Sequence, residues 1–176
     1  MIARNGAEFA ARAGRGLCVW FADMTGEETF HPDTRALLAY GRALAGVPDG
    51  RAKKGGADHV IERLFVIERT RDGRMPIRSF GRELVELFGR DMREHDFARL
   101  FLAPDLALVT AMADACEAAA QPGIVRVTAH TICGKALGAE LLLAPLKVDL
   151  AVLGNRMLGM FQPLGGEPFL NGRPIT

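Results

Sequence analysis

Between Arg78 and Gly89 the sequence leaves a strand pattern, breaks at Gly81 and enters a short helix, and after Gly123 it returns to strands. That order constrains the fold more than any other feature. Val60 to Ile67 is rich in Val, Ile, Leu and Phe and reads as a strand. Arg71-Asp72-Gly73-Arg74 reads as a turn, because Asp-Gly takes the left-handed conformation that a hairpin needs. Met75 to Phe80 returns as a second strand, and Pro76 assigns it a start or an edge. A hairpin of His59 to Arg69 with Met75 to Phe80 is therefore expected. Short helices follow. Glu83 to Phe88 aligns Leu84, Leu87 and Phe88, and His95 to Leu102 is a further helical piece. A longer helix from Pro104 carries Leu106, Val109, Ala113, Cys116 and Ala120 on one stripe. Past Gly123 the period changes. Ile124 to Ile132, Ala139 to Leu146 and Met157 to Leu164 are three strand-like runs whose short connections require antiparallel pairing.

Upstream, Pro32-Asp33-Thr34 opens a helix carrying Leu37, Leu38, Tyr40 and Leu44, with Asp33 or Thr34 as the expected N-cap and Gly46 and Pro48 as its stop. Ala7 to Ala13 can form a short N-terminal helix. Leu17 to Ala22 is an apolar run that must pack on the main body or meet a partner subunit. We expect residues 1–30 to be an extension, 31–165 the folded domain and 166–176 a tail. Leu17, Val19, Trp20 and Phe21 are the candidate dimerisation residues.

Composition excludes several functions. A net charge of +1 lacks the concentrated positive field that nucleic acid or a membrane surface requires, and the one dense basic run, Arg51 to Lys54, reads as a solvated loop. No stretch reaches the roughly 18 apolar residues of a membrane span. The first apolar run is too short for a secretory signal. Cys18, Cys116 and Cys133 form no zinc spacing and read as buried thiols in a reducing, cytoplasmic setting.

Catalytic patterns fail as well. The four histidines lie too far apart for a His-x-x-x-His metal face, so no metal site is expected. Ser79 is the only serine, with no base or orienting acid identifiable beside it. What remains is an apolar site. Phe80, Leu84, Phe88, Phe97 and Phe101 fall in and after the strand-to-helix turn. They are either plain core or the walls of a pocket between helices and sheet. Arg78 and Arg82 flank the entrance as candidate holders of an anionic group, or equally as solvated strand-edge charges.

Three stretches carry a resemblance. His31 to Tyr40, Phe80 to Asp91 (Phe-Gly-Arg-Glu-Leu-Val-Glu-Leu-Phe-Gly-Arg-Asp) and Glu140 to Leu146 together resemble an atypical stand-alone bacterial PAS-domain family, first catalogued as a domain of unknown function. The resemblance covers about three quarters of the chain. It implies an α+β fold, a five-stranded antiparallel sheet with helices on one face, and a sensory or regulatory role through protein–protein interaction, often with histidine kinases. A small ligand could tune such a protein, and a homodimer is the expected assembly. The covalent-flavin segment of the photosensor subgroup, Asn-Cys-Arg-Phe-Leu-Gln, has no counterpart, since Cys116 lies in Asp-Ala-Cys-Glu-Ala. Haem would need His95 as a proximal ligand and is not favoured, so the cofactor stays unknown. The chain departs from the family at Phe101, where Trp is common, and at Arg82, where a small residue is usual. The competing readings are a small α+β enzyme using Ser79, His95 or His130, and a purely structural dimerisation module built on Leu17 to Ala22.

Overall fold

The computed structural model describes residues 18–21, 30–44, 58–130, 136–146 and 155–165. The Ala7 to Ala13 helix, the Gly46-Pro48 stop, the basic run at 51–54 and the 166–176 tail lie outside them. Six strands form one antiparallel sheet: β1 (Cys18–Phe21), β2 (Leu64–Arg69), β3 (Ile77–Phe80), β4 (Gly123–His130), β5 (Ala136–Leu146) and β6 (Asn155–Pro163). Their spatial order is β1-β4-β5-β6-β2-β3. The last five are the expected strands, with the early hairpin pairing β2 to β3 and the late meander pairing β4, β5 and β6. The two halves close where β2 pairs along β6 from Leu64–Met160 to Arg69–Asn155. β1 adds to the edge of β4, with Val19 opposite Val125. The apolar run at 18–21 therefore joins its own sheet.

The described residues also form three α-helices: α1 (Pro32–Leu44), α2 (Arg82–Phe88) and α3 (Ala103–Ala119). β3 and β4 lie four strand spacings apart, so the chain must cross the sheet between them. It does so through α2, a short 3-10 turn (Phe97–Leu100) and α3. Val109, Met112, Ala113 and Cys116 of α3 join Leu84 and Phe88 of α2 over Ile67, Val125, Leu141 and Leu143. The expectation of helices on one face holds for α2 and α3. α1 lies on the other face, where Leu37 and Leu38 pack with Ile124, Leu142, Ala144, Leu158 and Met160. Alternation along β5 explains how one strand serves both layers, because consecutive side chains point to opposite faces.

Three local expectations are corrected. The strand expected from Val60 begins only at Leu64, because Asp58–Arg63 is a 3-10 turn that buries Val60 under α1. Neither Asp33 nor Thr34 is the cap of α1. The His31 carbonyl accepts from Arg35 N and its Nδ1 accepts from Asp33 N at 3.2 Å, while Asp33 turns its carboxylate to Arg63. In β3 the register slips, with Ser79 opposite Val66 but Ile77 opposite Ile67, so Arg78 is the extra residue of a bulge. The bulge lets Ile77 and Phe80, three residues apart, both reach the same core.

One contact fixes the β2–β6 closure. Gly159 faces Phe65 across the strands, and a Cβ at Gly159 would fall 2.1 Å from the Phe65 ring. That ring stacks on Phe97 at 5.3 Å, so it has nowhere to move. Gly159→Ala should therefore destabilise the fold by about 1–3 kcal/mol through overpacking. A lower urea midpoint with an unchanged slope would show it.

Candidate functional site

The expected apolar residues do assemble. Phe65 and Phe97 stack, Phe101 meets Phe97 edge-on at 5.2 Å, and Phe88 contacts Phe80 at 5.5 Å and Phe161 at 5.6 Å. Leu84 lies in the same cluster, together with Met75, Met92, Met112 and Met157. Phe80 and Phe101 are only partly buried at its margin. The helical span 81–101 supplies one wall and the β2, β3 and β6 strands the other. Phe65 and Phe161 are members that the sequence reading missed. They come from strands far away in the chain, and only the pairing of β2 with β6 brings them here.

The two arginines expected at the entrance are placed elsewhere. The bulge sends Arg78 outward, where Nε donates to Glu68 Oε2 at 3.1 Å and Nη1 donates to Glu94. Partial desolvation works against ionisation of Glu68, but hydrogen bonds from Arg78 and Arg156 outweigh it and hold this carboxyl below its ordinary value. Arg82 lies in solvent, 3.7 Å from Glu86 on the next turn of α2. Neither guanidinium faces the rings. The cluster is thus walled by apolar side chains, with sulfur supplied by the four Met and by Cys116.

A second polar feature escaped the sequence reading. Glu140 is fully buried in β5 on the α1 face, opposite Arg126 in β4 and Gln162 in β6. It accepts from His31 N at 3.1 Å and from Arg126 Nε at 3.4 Å, while the Arg126 guanidinium sits 5.4 Å over the Phe30 ring. Beside it, Arg63 donates to Gln162, Asp33 and Glu83. Burial alone would lower the Arg63 pKa, and its bonds to Glu83 and Asp33 outweigh that and raise it. The signal that could have found this network is Glu140, a lone charge in the apolar run Ala139 to Leu146.

Ser79, His95 and His130 are all exposed. Ser79 in β3 and His130 in β4 stand four strand spacings apart, roughly 19 Å, too far for a nucleophile and its base. The His95 ring faces the Arg93 carbonyl at 3.1 Å, outside the aromatic cluster. No group of three or more His, Cys, Asp or Glu side chains among the described residues could hold a metal. Cys116 is buried with Sγ 3.7 Å from the Leu143 carbonyl. Desolvation pushes its thiol up to about 12, Glu117 adding to the shift and Gly123 opposing it.

A model of the PAS domain matches residues 29–162. The chain belongs to the PAS domain family. It is a sensory, signal-transduction domain by family. Among solved structures, a fungal LOV domain photoreceptor, associated with a pathway integrating blue light and oxidative stress, is similar with a TM-score of 0.50 and 19% identity. The similarity covers 81% of this chain and 100% of that one, and it shows the fold alone. No curated protein matches. Among the described residues no helix is long and apolar enough to cross a membrane.

Two measurements check this description. Phe88→Ala should cost about 3–5 kcal/mol, the range for a buried aromatic ring, in denaturant unfolding. Cys116 ionises near 9 in the unfolded chain and near 12 when folded, so the fold favours its protonated form. This contribution is fully present below about pH 9 and is lost as pH rises towards 12. Cys116→Ala should flatten that alkaline decline in melting temperature, and iodoacetamide should leave Cys116 unlabelled in the native protein at pH 8.

Proposed function

We propose that this PAS domain is a cytoplasmic regulator in bacterial signalling that acts by binding other proteins, and that a neutral apolar ligand entering the aromatic cluster tunes it. The observation that supports this is the character of the site. Six phenylalanines and four methionines gather between helices and sheet, and the thiol in the same layer, Cys116, is buried and held protonated. Such a surface can admit an apolar guest by repacking flexible Met and margin Phe side chains. An anionic ligand is disfavoured, because both nearby arginines are turned to carboxylates outside. A histidine kinase or similar signalling protein is the partner class that the family resemblance suggests.

Homodimerisation through the N-terminal segment belongs to this reading, and the two sheet edges support it by contrast. The outer edge of β3 is guarded. Pro76 stands at its start, Ile77 N donates to the His95 carbonyl at 2.9 Å, Glu94 N to the Ile77 carbonyl, and Phe97 N to the Met75 carbonyl. Among the described residues nothing pairs with the outer edge of β1, whose sequence Cys-Val-Trp-Phe has no charge and no Pro. Such an edge lacks the devices that prevent strand addition, and a second β1 can pair with it antiparallel about a two-fold axis.

Both parts are testable. Indole should raise the melting temperature of the full chain in a dose-dependent way, and benzoate, its anionic counterpart in size, should not. Equal shifts, or none with indole, would refute the apolar-ligand reading. For assembly, light scattering should give a dimer for the wild type. Successive residues of an antiparallel edge strand turn their amides alternately inward and outward, so one of Val19→Pro and Trp20→Pro removes only an outward donor. The variant of the two that keeps the wild-type melting temperature should be monomeric.

A further inference from the structure

We propose that Arg63 mechanically couples α2, on the aromatic face of the sheet, to the first turn of α1 on the opposite face. The 3-10 turn Asp58–Arg63 ends where β2 begins, at the end of the sheet, and so the Arg63 side chain can reach both layers. Its Nε donates to Glu83 Oε2 of α2 at 2.6 Å. Its Nη1 donates to Asp33 Oδ2 of α1 at 2.8 Å and to Gln162 Oε1 of β6 at 2.6 Å. One planar fork thus holds three elements, and two of them belong to opposite faces.

A second contact removes slack from the α2 side. Gly81 N donates to the Leu64 carbonyl at 2.8 Å, and a Cβ at Gly81 would lie 2.2 Å from the Glu62 carbonyl oxygen. The start of α2 therefore abuts the backbone on either side of Arg63. A shift of α2 cannot be absorbed there and must be passed to residues 62–64. On the α1 side the link is doubled. Asp33 binds Arg63 directly, and Gln162 lies beside Glu140, which accepts from His31 N at the start of the same helix. α2 also carries Leu84 and Phe88 into the aromatic cluster, so repacking there acts on the element that Glu83 ties to Arg63. The proposal rests on the sensory reading only for what moves α2.

Amide exchange of the full chain, followed by mass spectrometry, tests it without any ligand. Glu83→Ala alters only the α2 end of the link, yet it should raise exchange across α1 by about threefold or more while β4 and β5 keep their protection. Glu86→Ala, which removes the other α2 carboxylate paired only to Arg82, should leave α1 unchanged. Asp33→Asn should loosen α1 as well, and the double variant should exceed the larger single effect little or not at all. In an Arg63→Met background, Glu83→Ala should do nothing further; should that variant fail to fold, Arg63→Lys, which keeps the charge but not the fork, takes its place. Unchanged α1 exchange in Glu83→Ala, or strictly additive effects of Glu83 and Asp33, would overturn the coupling. Indole stabilisation without coupling would overturn this proposal alone, and coupling without indole stabilisation would overturn the apolar-ligand reading alone.

Discussion

The Phe65 ring lying on Gly159 is the contact on which the rest of the domain depends. It sits where the first strand of the early hairpin meets the last strand of the late meander, so it joins the two halves of the chain. The absent side chain at Gly159 gives the ring its place, and the ring then offers its other face to Phe97. From Phe97 the contacts run to Phe101. On the other side of the same helical layer, Phe161, two residues after Gly159, holds Phe88 and through it Phe80. The position of the helical span 81–101 is thus set from β2 and β6, and the candidate site is the layer that results.

Much of this was legible in the sequence, for identifiable reasons. The Asp72-Gly73 turn and the change of period after Gly123 are local signals, and the hairpin and meander that they imply are present. Phe80, Leu84, Phe88, Phe97 and Phe101 could be grouped because they are neighbours along one stretch of chain. Phe65 and Phe161 could not, since 96 residues separate two positions that only strand pairing brings close. Val60 looked like strand because burial under α1 demands the same residue type as a strand core. The bulge at Arg78 leaves no compositional trace. It is a matter of register, and it decides whether that guanidinium serves the site or the surface.

The polar network was illegible for a different reason. Asp33, Arg63, Glu83 and Gln162 are residues that usually face water, and nothing in their spacing announces that they converge. Glu140 alone gives a hint, because a carboxylate flanked by Ala139 and Leu141 in an apolar strand must be paired or it would not be buried. Its partners come from the register. The cross-strand row Arg126, Glu140, Gln162 puts a cation and an amide on either side of it, and the start of α1 supplies the backbone donor.

The two faces of the sheet are therefore built on opposed principles. Under α2 and α3 the contacts are apolar and non-directional, many of them made by Met and Phe, and such a layer can rearrange in small steps at little cost. At the start of α1 the contacts are directional hydrogen bonds to buried or half-buried charges, and such a layer has few alternatives, since a lost partner leaves a desolvated charge behind. A graded change on the first face becomes a choice between discrete arrangements on the second only if some group spans both. Arg63 is positioned to do that, because its carboxylate partners lie on either side of the sheet's end and its amide partner lies in the polar row itself.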